Sequence, residues 1–112
     1  MEEKRLIVPF VDALEEMSPA GFSSAMDELA EHAATDSVYW PETFPHNPEC
    51  LISVAHSRSH LAVRFTVNGP FLRGTVTEDG KYVHRDSCCE CFLLAADGKR
   101  YANFEMNCIG TL

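Results

Sequence analysis

No apolar run in this sequence approaches the 18 or more residues that cross a bilayer as a helix. Basic residues are scarce: nine lysines and arginines stand against 17 acidic residues, a net charge of -8. Nucleic acid and anionic membranes both select clustered basic side chains, so neither is expected as a partner. The opening stretch from Met1 to Phe10 has too short an apolar core for a signal peptide. Pro9 interrupts it and no small-residue cleavage site follows, so the chain is expected in the cytoplasm. A Gly-x-Ser-x-Gly nucleophile elbow is missing. The cysteines number five, an odd count that fits reduced thiols better than a disulfide framework.

What is present reads as one mainly β domain of 112 residues. Residues 1–22 form a lead-in, in which Leu6-Ile7-Val8 would make a short strand and Ser18-Pro19-Ala20-Gly21 a turn. A helix is expected over 23–33, capped by Ser23 or Ser24, with Met26, Leu29, Ala30 and Ala33 as its buried stripe. The three prolines between Trp40 and Pro48 impose an extended path there, with Trp40 as a loop anchor. Period-two alternation then predicts antiparallel strands near 50–56, 60–67, 71–77, 88–95 and 100–108. Glu78-Asp79-Gly80 and Ala96-Asp97-Gly98-Lys99 supply hairpin turns. Short strands, tight turns and a single short helix indicate an antiparallel β-sandwich, jelly-roll-like in type.

Chemistry is concentrated on the polar faces of these strands. Tyr101, Asn103, Glu105 and Asn107 share one side of the last strand, about 6–7 Å apart. Asp86, Glu90 and Phe92 share parity in the strand before it, and Arg64, Thr66 and Asn68 in an earlier one. If these strands share a sheet, amides, acids, an arginine and rings meet on one surface. Such a surface suits saccharide hydroxyls and ring faces, or it is an internal ion-pair network. A glycoside hydrolase would take its carboxyl pair from Asp86, Glu90 and Glu105. Cys88-Cys89-Glu90-Cys91 is not read as a zinc site: Cys89 and Cys91 share a face that Cys88 does not, and no second cysteine pair exists to complete four ligands. The cysteines read as small buried hydrophobes, and no cofactor is expected from the residues themselves.

Three elements occur in a familiar order and spacing: Trp40-Pro41 with Phe44-Pro45 and Pro48, then the run from Asp86 to Phe92, then the run from Tyr101 to Thr111. From about Asp27 onward the chain resembles the carbohydrate-binding family-9-like domains common in gut Bacteroides and their relatives. The resemblance implies a β-sandwich that holds sugars without transforming them, between aromatic rings and polar side chains, with structural calcium. It departs from the pattern at Cys89 and Cys91, where the family usually has an aliphatic and an aromatic residue. It also matches only the family's first half, over residues 23–112. A domain so truncated is expected to leave Val63, Phe65, Phe104 and Met106 uncovered and to self-associate through an open sheet edge. The saccharide contacts expected are Asn103, Glu105 and Asn107, with Arg64 and Glu90 beside them and Trp40 or Tyr101 stacking.

Overall fold

A computed structural model describes residues 3–112, in two compact units that meet in sequence at Gly69 and Pro70. Among the described residues the units carry five antiparallel strands in two sheets and one short α-helix. No helix among the described residues is long and apolar enough to cross a membrane.

The first unit contains helix α1 (Pro19–Glu28) and strands β1 (Glu31–Thr35), β2 (Glu49–His56) and β3 (Leu61–Asn68). Helix α1 begins earlier than the sequence reading places it. Ser18 is its N-cap, its hydroxyl accepting from the Gly21 amide at 3.1 Å, and Pro19 takes the first helical position. Proline is favoured there because its missing N–H would have no helical partner anyway. The Ser-Pro pair is therefore a helix start and not a free-standing turn. The helix ends at Glu28, and His32 and Ala33, expected in its last turn, lie in β1. There Glu31 to Thr35 pair with Val54 to Cys50 of β2. Ladder hydrogen bonds to a neighbouring strand override the helical leaning of a Glu-His-Ala-Ala stretch.

β2 is central, with β1 and β3 antiparallel on either side. Its Ser53 and Ala55, opposite Arg64 and Ala62 of β3, are buried on the face carrying the small core. Val11, Leu14, Ala25, Met26, Ala55 and Ala62 make that core, with Phe22 and Ala30 packed against it. Leu29, expected in the helix's buried stripe, is exposed. Leu61, Val63, Phe65 and Val67 line the other face, where Val63 and Phe65 are half-buried and Leu61 and Val67 exposed. The expected strand at Leu6-Ile7-Val8 is absent: the chain joins β2 only through a bridge of Phe10 to His56, with the Val11 amide donating to the His56 carbonyl at 2.7 Å.

The second unit is a hairpin of β4 (Cys88–Leu94) and β5 (Tyr101–Asn107). Its turn is the expected one: Gly98 has φ 68°, and the Asp97 carboxylate accepts from the amides of Lys99 and Arg100. Residues 71–77, expected as a strand, are not one. Their backbone is satisfied by side chains instead of a ladder. Asp86 takes the amides of Thr75 and Val76, and the Val76 carbonyl accepts from Asn107 and Thr111. Asp79-Gly80 turns the chain but joins no hairpin, its partner being Leu112 through the Gly80 amide and the Asp79 carboxylate.

Candidate functional site

Antiparallel register decides which side chains of the hairpin share a face. Cys88, Glu90, Phe92 and Leu94 lie opposite Asn107, Glu105, Asn103 and Tyr101 in turn. Directly paired residues project to the same side, so all eight share one surface. Phe92 and Tyr101 are 60% and 70% exposed, with ring centroids 6.0 Å apart at 43°. Sequence alone assigns Phe92 a parity with Glu90 and a place in the run from Asp86, but no contact with Tyr101. The pairing that sets its ring beside Tyr101 depends on register, which no single strand displays.

The closed end of this face is densely hydrogen-bonded. Asn107 is 4% exposed, and its amide donates to the Val76 carbonyl at 2.8 Å and to Asp86 at 3.0 Å. Its carbonyl accepts from the amides of Ile109 and Thr111. Asp86 also receives the Thr75 hydroxyl, and Arg73 approaches at 3.5 Å. Hydrogen bonds from the Val76 amide, and then from the Thr75 hydroxyl and amide and from Asn107, hold its carboxyl down at about 2 despite burial. Asn107 and Asp86 are thus engaged with the chain itself, while Asn103 is exposed and Glu105 half-buried.

Midway along the face, Cys88, Glu90 and Glu105 bring one sulfur and two carboxylate oxygens within 4.8 Å of one another. The Cys88 thiol donates to Glu105 Oε1 at 3.6 Å. Burial, together with the negative charge of Glu105 and Glu90, pushes the thiol up to about 11, so it stays protonated at neutral pH. Calcium takes six to eight oxygen ligands. A thiol with two carboxylates does not fit it.

Trp40 and Arg64 belong to the first unit. Trp40 is 65% exposed beside Tyr39, at 6.1 Å between centroids, and its carbonyl accepts from the amides of Thr43 and Phe44. It is not buried as an anchor would be. Arg64 ties helix to sheet: it donates to Asp27 at 2.6 Å, to the Ser23 carbonyl at 3.1 Å and to Ser53 at 3.4 Å. The conditional single sheet of the sequence reading does not form, because β3 pairs in one sheet and β4 and β5 in the other.

The sequence model of carbohydrate-binding family 9 matches residues 22–112. No curated protein and no solved structure matches the chain. With the match spanning most of the chain, this protein belongs to carbohydrate-binding family 9.

Proposed function

We propose that the chain binds a saccharide, without transforming it, on the hairpin face that carries Phe92, Tyr101, Asn103, Glu90 and Glu105. The observation that carries this reading is the exposed ring pair beside an amide and two carboxylates on one surface. A pyranose presents apolar C–H faces to rings and paired rim hydroxyls to planar amides and carboxylates. Each ring contributes about 1 kcal/mol beyond its area. An open face with two rings and three polar groups supports roughly millimolar affinity, near -4 kcal/mol. A hydrolase gains no support from the same groups. Glu90 and Glu105 sit on adjacent strands of one face, so they do not flank a scissile bond from opposite sides.

Calorimetry with mono- and oligosaccharides tests the reading on the wild type, Tyr101→Ala, Glu105→Gln and Trp40→Ala. Tyr101→Ala and Glu105→Gln should each weaken binding by roughly five- to tenfold, the scale of one ring or one hydrogen bond. Trp40→Ala should change it less than about twofold, because Trp40 is not one of the residues on this hairpin face. A Glu105→Gln variant that melts lower while binding is unaltered would make this face a structural network instead.

A further inference from the structure

Glu90 and Glu105 are direct cross-strand partners, an arrangement in which like charges repel. Among the described residues neither forms an ion pair with a lysine, arginine or histidine. A thiol, not a base, completes the group. We propose that Cys88, Glu90 and Glu105 form a binding site for a borderline divalent cation of the zinc or cadmium type, held through one thiolate and two carboxylates.

Three features of the geometry support this occupant over calcium. Sulfur is a ligand for soft and borderline ions and a poor one for calcium. A zinc ion about 2.3 Å from sulfur and about 2.0–2.2 Å from oxygen, at a tetrahedral angle, sets those two atoms about 3.6 Å apart. The Cys88 Sγ to Glu105 Oε1 distance is 3.6 Å. Glu90 is exposed, so water can reach the group and fill a fourth position, as it does in three-ligand zinc sites. Binding replaces the sulfur–hydrogen bond by a sulfur–metal bond and releases one proton to solvent, with no change of oxidation state. Sequence alone excludes a zinc site of four cysteines or histidines, since there is no second cysteine pair and Cys108 and the five histidines are scattered. The ligands that join Cys88 come from Glu90 in its own strand and from Glu105 across the hairpin, and the cross-strand member depends on register.

The test uses the full chain, stripped with a chelator and titrated with Cd²⁺ or Zn²⁺ alone, without saccharide. Its outcome is therefore independent of the saccharide reading. Cadmium should give one equivalent of thiolate-to-metal charge-transfer absorbance, and zinc should abolish it by competition. Cys88→Ser should lose the band, and Glu105→Gln should weaken metal binding roughly tenfold or more. Cys91→Ser, on the other face of β4, should keep it. Glu90→Gln serves if circular dichroism shows the Glu105 variant unfolded. No band in the wild type, a band that survives Cys88→Ser, one lost in Cys91→Ser, or displacement by excess calcium would overturn the proposal.

Discussion

Asp86 accepts four hydrogen bonds between 2.8 and 3.0 Å, and each favours its ionised form. Its carboxyl is held at about 2 in the folded chain, below the ordinary value near 3.9. A depressed folded value means that the stabilisation is complete above about pH 4 and is lost as pH falls from there toward 2. Thermal melts across that window should show a fall in Tm that Asp86→Asn flattens, while lowering Tm at neutral pH. Asn107→Ala leaves the Ile109 and Thr111 amides without their acceptor and takes one donor each from Asp86 and Val76, and should cost about 1–3 kcal/mol in urea unfolding. Period two put Asn107 on the same side as Glu105. Alternation tells which way a side chain points, but not that the strand's end is closed over by residues 75–76 and 109–111.

At the scale of elements, β3 and β5 were legible because apolar and polar residues alternate along them, and β2 and β4 because short apolar runs there are bounded by turn signals. β1 was not, since Glu-His-Ala-Ala-Thr has no strand signal of its own and is extended only through its pairing with β2. The stretch 71–77 reads as a strand, yet its Thr75 and Val76 amides go to Asp86 and its Arg73 amide to the Ser87 hydroxyl, a choice made by residues ten or more positions away. Helix α1 was found but shifted, because Ser18-Pro19 carries both a turn signal and a cap signal. Ser18→Ala should therefore destabilise the first unit by about 1 kcal/mol, read by urea unfolding. A Ser23→Ala variant, at the start of the helix expected from sequence, should lack any capping effect of that size.

For the whole molecule, the hairpin's second face matters as much as its first. Phe104 and Met106 are 48% and 43% exposed, with Leu93 beside them on the side opposite the rings. A two-stranded hairpin is marginal in water by itself and has two open edges. Concentration-dependent self-association is therefore expected in sedimentation velocity, and Phe104→Lys should reduce it; a monomer at all concentrations would count against it. Family membership rests on the sequence match, while the binding face rests on the register of β4 and β5. The most direct measurement is amide NMR of the labelled chain during titration with oligosaccharides. Saturable shifts centred on Glu90, Phe92, Tyr101, Asn103 and Glu105 are the result this account predicts. Shifts centred on Leu93, Phe104 and Met106, or none at saccharide concentrations well above millimolar, would contradict it.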